Sequence, residues 1–145
     1  MAERQQGYVL HANESRTPSF EQPGRFLATS DDTQGAFIVV EQNTEQPTPR
    51  SALHVHESHD EAIYVKEGEL LITLGDVEHR VGPGDFVLMP RGIPHRVEAP
   101  GPVKTLLIAN GEYEAGRANI FSVFQSGLRG EAAYAQIEGV SYVSD

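Results

Sequence analysis

Short apolar runs that alternate with polar positions recur through the middle of the chain, each closed off by glycine, proline or other turn-forming residues. A period of two is what a strand needs to turn one face to a core and the other to water. Gly24 to Thr29 and Ala36 to Glu41 read as two such strands, joined into a hairpin by the polar turn Ser30-Asp31-Asp32-Thr33-Gln34-Gly35. The series continues with Glu61 to Lys66, Glu69 to Leu74, Val77 to Val81, Asp85 to Met89, His95 to Glu98 and Val103 to Ala109. Between them Glu67-Gly68 reads as a turn, Gly75-Asp76 as a two-residue hairpin loop of type II′, and Pro83-Gly84 as the centre of a type II turn. This succession predicts an all-β sandwich or small barrel.

The flanks read differently. Residues 1–23 form an arm with one short strand, Gly7 to His11, and Gln42 to Arg50, with Pro47 and Pro49, is an exposed connection. Beyond Glu112, residues Ile120, Phe121, Phe124 and Leu128 fall at helical spacing, with Gly127 and Gly130 near the end, and predict a short helix against the barrel. The tail from Ala132 to Asp145 is one more strand or a flap over an opening. At 145 residues the chain suits one domain, divided into an arm at 1–23, a barrel at 24–110, and a helix and tail at 111–145.

Composition narrows the function. A formal charge of -10 opposes binding to a phosphate backbone, so nucleic acid is not the expected partner. With 0 cysteines there is neither a disulfide framework nor a thiolate, which leaves histidine and carboxylate as metal donors. Met1 to Gly7 is polar, and no run approaches the ~20 apolar residues of a membrane span, so the expectation is a cytoplasmic protein with no membrane partner.

The chemistry concentrates in His54-Val55-His56-Glu57-Ser58-His59-Asp60-Glu61. If His54 to His56 is extended, the two outer imidazoles share a face and form a two-nitrogen clamp. Glu61 enters from the start of the next strand, and His95 is placed to close the site from a second segment. His59 falls in the intervening loop and reads as exposed. Tyr64 lies on the face opposite Glu61, in core or interface packing. Ile63 and Val65 share the Glu61 face and line an apolar pocket with Phe37 or Ile38 and with Val97. Arg91 and Arg96 read as solvated surface charges.

The two segments resemble the paired motifs of the cupin family. The first motif, G-x5-H-x-H-x3 or x4-E-x6-G, is met by His54, His56, Glu61 and Gly68, without the leading glycine. The second, G-x5-P-x-G-x2-H-x3-N, is met by Gly84, Pro90, Gly92 and His95, with Ala99 in place of the asparagine. The resemblance implies a double-stranded β-helix, a jelly-roll barrel, holding one divalent transition metal on His54, His56, Glu61 and His95. Three imidazoles and a carboxylate suit iron, with manganese, nickel, cobalt, copper or zinc as alternatives, and are too nitrogen-rich for calcium or magnesium. The functional likeness is to quercetinase-type dioxygenases. It implies a metal-dependent dioxygenase acting on a small enolic or phenolic substrate, flavonol-like or polyketide-like, with Glu61 as ligand and catalytic base. Alternatives on the same site are a redox-neutral isomerase, cyclase, lyase or decarboxylase, and a non-catalytic small-ligand-binding cupin. The family likeness also implies a homodimer.

Overall fold

A computed structural model of the chain describes residues 6–16, 24–48, 50–110, 130–135 and 139–144. The strands are β1 (Gly24–Ala28), β2 (Ile38–Thr44), β3 (His54–His56), β4 (Glu61–Gly68), β5 (Leu70–Leu74), β6 (Val77–Val81), β7 (Phe86–Met89), β8 (His95–Glu98), β9 (Val103–Ala109) and β10 (Val140–Tyr142), with a short helix α1 (Gly130–Tyr134) before the last. They form two five-stranded sheets, ordered β1-β2-β9-β4-β7 and β10-β3-β8-β5-β6. Every pairing is antiparallel. The all-β architecture expected from the alternation is the one present, a double-stranded β-helix.

The core lies between the sheets. Along β4, Glu61, Ile63 and Val65 are buried while Tyr64 and Lys66 are exposed; β9 buries Val103, Thr105, Leu107 and Ala109 in the same way. Ile38, Val40, Val65 and Ile72 are fully enclosed, at 0% exposure, and Met89 is at 1%. Each such side chain contributes about 1.5–3 kcal/mol of transfer free energy. Of the two residues offered as pocket lining at the start of β2, Ile38 is inside and Phe37 is 45% exposed.

Local turn chemistry holds in two places. Leu74 pairs with Val77 around Gly75-Asp76, a two-residue hairpin. The Asp85 N–H donates to the Gly82 carbonyl at 2.9 Å across Pro83-Gly84, with Gly84 at φ +88, as a type II turn requires.

Three expectations need correction. Glu67-Gly68 is not a turn: β4 runs through it, with a bulge in its register against β9 between Val65 and Glu67. Gly68, at φ +83, lies so close to the next chain segment that a Cβ there would sit 2.2 Å from the Pro102 oxygen. Gly7 to His11 is not a strand, since no neighbour offers it a ladder. It is held instead by Tyr8 Oη donating to the Leu27 carbonyl at 2.5 Å and by Arg25 Nη1 donating to the His11 carbonyl at 2.9 Å. The exposed connection is shorter than expected, because β2 extends to Thr44 and Thr48 N–H donates to the Ala99 carbonyl at 2.9 Å. The helix centred on Ile120 to Leu128 lies outside the described residues. For the tail, a strand is the outcome: β10 pairs with β3, setting Val140 opposite His56 and Tyr142 opposite His54. No helix among the described residues is long and apolar enough to cross a membrane.

Candidate metal centre

The two sheets bring their polar residues together at one end of the core. On β3 the alternation points His54 and His56 inward and Val55 outward. On the adjoining β8, His95 is directly opposite His54. Glu61, the first residue of β4, belongs to the other sheet and sits in one rung with Ala109 and Met89, each buried. The cluster is enclosed, with exposures of 9% for His54, 2% for His56, 2% for His95 and 6% for Glu61.

One nitrogen of each of the three imidazoles lies within 4.8 Å of the others. Glu61 adjoins that group, with Oε1 at 2.8 Å from His56 Nε2 and Oε2 at 3.8 Å from His95 Nε2. The outer nitrogens are held from behind. His54 Nδ1 donates to the Ala52 carbonyl at 2.7 Å, and His95 Nδ1 points at the Ile93 carbonyl at 3.3 Å. A carbonyl only accepts, so these rings carry their proton on Nδ1 and turn the Nε2 lone pair inward.

The electrostatics suit a cation. Burial, and then the neighbouring charge of His95, pushes the His54 imidazole down to about 4. Burial likewise lowers His95, against the opposing pull of Glu61. Burial alone would raise the Glu61 carboxyl, but the close approach of His56 and, after it, of His95 and His54 outweighs it, and its pKa is lowered. At neutral pH this gives neutral rings at His54 and His95 beside an ionised carboxylate. Glu61 Oε1 and His95 Nε2 are nevertheless buried with no well-formed hydrogen bond, because the 2.8 Å approach of Oε1 to His56 is misaligned for one. Polar atoms withdrawn from water without compensation cost several kcal/mol. Three buried imidazoles facing one another with a carboxylate beside them are donors of the kind a transition metal takes, and the three histidines can hold a metal ion.

The other residues singled out in the sequence fall as follows. Tyr64 is on the outer face of β4, 42% exposed, and Ile63 and Val65 line the inner face as expected. Arg91 is more than a solvated charge: its main-chain N–H, Nε and Nη2 all donate to Asp60, at 2.8, 3.2 and 3.0 Å. That pair joins the loop before Glu61 to the loop before His95, and it holds the Asp60 carboxyl down at about 2. Arg96 Nε reaches Thr73 Oγ1 at 3.4 Å on the outer face of β8. His59 is a correction: expected in water, it is 3% exposed, with Nε2 at 2.8 Å from His56 Nδ1. The pairing of Tyr142 with His54 was likewise illegible in the sequence, because nothing local registers β10 on β3.

Comparison with known proteins agrees with this geometry. Residues 37–109 match the family model described as Cupin domain. A 90-residue segment is 36% identical to quercetin 2,3-dioxygenase of Bacillus subtilis (strain 168), covering 61% of this chain and 26% of that enzyme. The match therefore spans about a quarter of the relative's length. Among solved structures, an RmlC-like cupin from Shewanella frigidimarina superposes with a TM-score of 0.59 over 75% of this chain and 95% of its own, at 15% identity. A structure described as a sugar phosphate isomerase from a cupin superfamily, from Silicibacter pomeroyi, gives a TM-score of 0.50 at 26% identity, over 60% of this chain and 57% of its own.

Proposed function

The chain belongs to the cupin family, and from that premise we propose that it is a metal-dependent dioxygenase acting on a small enolic or phenolic substrate. His54, His56, Glu61 and His95 would hold one divalent transition metal, iron in the first instance. The observation that carries the reading is Glu61: a lowered, ionised carboxylate at 6% exposure, facing three imidazoles and lacking a well-formed hydrogen bond on Oε1. The 36% identity to a quercetin dioxygenase over 90 residues supports the oxygenase assignment.

When bound, the metal supplies Lewis acidity toward a substrate oxygen and, if redox-active, a partner for dioxygen. The chain's own residues do the rest. Glu61 takes the proton of the substrate enol or phenol on its carboxylate, a transfer suited to a base that is ionised at neutral pH. His54 and His95, held through Nδ1 by main-chain carbonyls, keep their Nε2 lone pairs turned to the same point. Ile63, Val65, Ile38 and Met89 form dry walls below the site, which strengthens electrostatic interactions within it.

A redox-neutral reaction on the same donors, such as isomerisation through an enolate, is the second reading. The 26% identity to the Silicibacter pomeroyi structure favours it. Oxygen uptake separates the two. Protein reconstituted with iron, manganese, nickel or cobalt and given a flavonol should consume dioxygen with substrate; full turnover under nitrogen, or with zinc alone, rules the dioxygenase out.

We assign a homodimer, formed through the outer face of the first sheet. Tyr64 pairs with Phe86 and Ala62 with Leu88 and Ile108, and four of these side chains are 42–61% exposed. Such a contiguous apolar face is the kind that marks an interface. A monomer by light scattering refutes it.

A further inference from the structure

His59 lies in the loop between β3 and β4, among polar residues that give an imidazole no reason to leave water. Yet it is 3% exposed, with its ring 4.6 Å from that of His56 between centroids. The loop is tied down on both sides of it. Glu57 N–H donates to the Gly139 carbonyl at 2.8 Å, and Ser141 Oγ lies 3.1 Å from Glu57 Oε1. Asn110 Nδ2 donates to the Ser58 carbonyl at 3.3 Å, and Asp60 accepts three hydrogen bonds from Arg91. Gly92 N–H donates to the His56 carbonyl at 2.9 Å. These ties come from β10, from the end of β9 and from the loop before β8, so the position of His59 is set by the whole barrel mouth.

The three imidazoles of the centre are supported unequally. His54 and His95 turn Nδ1 to main-chain carbonyls, which can only accept. In the corresponding place His56 has the His59 side chain, Nδ1 to Nε2 at 2.8 Å. His59 itself is outside the group of three whose nitrogens converge. We propose that His59 is a positioning residue for the metal centre: its Nε2 accepts the Nδ1 proton of His56 and fixes that ring in the tautomer whose Nε2 lone pair faces Glu61. The inference rests on the reading of the cluster as a metal centre. Support of this kind fixes ring orientation, raises ligand basicity, and changes metal affinity about 10–100-fold when removed.

Full-length wild type, His59→Gln and His59→Asn are compared by Co(II) titration against a competing chromophoric chelator, with the Co(II) visible spectrum recorded at saturation. Glutamine can place its amide oxygen near the position of the imidazole Nε2; asparagine stops one bond short. The expected result is that H59Q stays within about threefold of wild type, whereas H59N weakens Co(II) binding about 10–100-fold and shifts the spectrum. Wild-type affinity and spectrum in H59N overturn the inference and leave the metal centre standing. Wild type that binds no Co(II) overturns the metal reading, and the inference with it. Nitrogen chemical shifts of the histidine rings in the Zn(II)-loaded wild type give a readout that depends on no variant's folding: His59 unprotonated on Nε2, as an acceptor, supports the inference, and His59 protonated on Nε2 overturns it.

Discussion

Gly68→Ala tests whether the close approach of β4 to the chain before β9 is the reason a glycine stands at the end of β4. The perturbation has two parts. At φ +83 an alanine occupies the left-handed region, which costs an L-residue about 1–2 kcal/mol. In addition its Cβ would lie 2.2 Å from the Pro102 oxygen and 2.8 Å from Val103 Cα, both backbone atoms that no side-chain rotation can clear. Relieving that contact means displacing the start of β9 by about 1 Å and weakening the pairing of Gly68 with Val103, at roughly 1 kcal/mol per ladder hydrogen bond. The sum is about 2–3 kcal/mol, a substantial part of the 5–15 kcal/mol typical of a domain. Gly84→Ala is the control: its φ is +88, but nothing lies within 4 Å of the added carbon, so only the backbone strain remains. In urea melts followed by circular dichroism, G68A should lose about 1 kcal/mol more than G84A, with a Tm lower by about 2–5 °C. Equal losses in the two variants would show that the contact with Pro102 is not what demands the glycine.

Two further outcomes follow from the packing and the charges. Ile72→Ala, at a fully enclosed site in the middle of β5, should cost about 2–5 kcal/mol in the same melts; a loss under 1 kcal/mol would mean that the core can collapse around the space. Asp32 accepts hydrogen bonds from Arg16 and from Thr29 N–H and Oγ1, and the Arg16 contact above all lowers its pKa well below the ordinary carboxylate range. A group depressed on folding contributes stability above its unfolded pKa of about 4, and that contribution disappears as the pH falls through the folded value. Asp32→Asn should therefore lose up to about 1 kcal/mol at pH 7 and flatten the decline of stability below pH 4; an unchanged acid limb would remove Asp32 from that account.

What was legible in the sequence was whatever local physics decides. The alternation in Val103 to Ala109 fixed the limits of β9, and Gly75-Asp76 and Pro83-Gly84 carried their turn types in two residues each. The clamp was legible too, since period two alone sets His54 and His56 on one face. The misses depend on partners far along the chain. Glu67-Gly68 has the composition of a turn, but pairing with β9 carries the strand through it. Gly7 to His11 has the composition of a strand, but finds no edge to join. His59 is polar and sits in a polar loop, and distant residues, among them Arg91, Asn110 and Gly139, hold that loop where the ring is driven inward. Tyr142 reaches the rung of His54 through a register set between residues nearly ninety positions apart.

The central claim is that His54, His56, Glu61 and His95 together hold a transition metal, and it is tested most directly by elemental analysis of wild type and His95→Ala, each purified without added metal and shown to be folded. The account predicts about one transition-metal ion per chain in the wild type and a loss of most of it in H95A, because the ring directly opposite His54 supplies one of the converging nitrogens. Wild type free of metal, or H95A retaining the full amount, would contradict it.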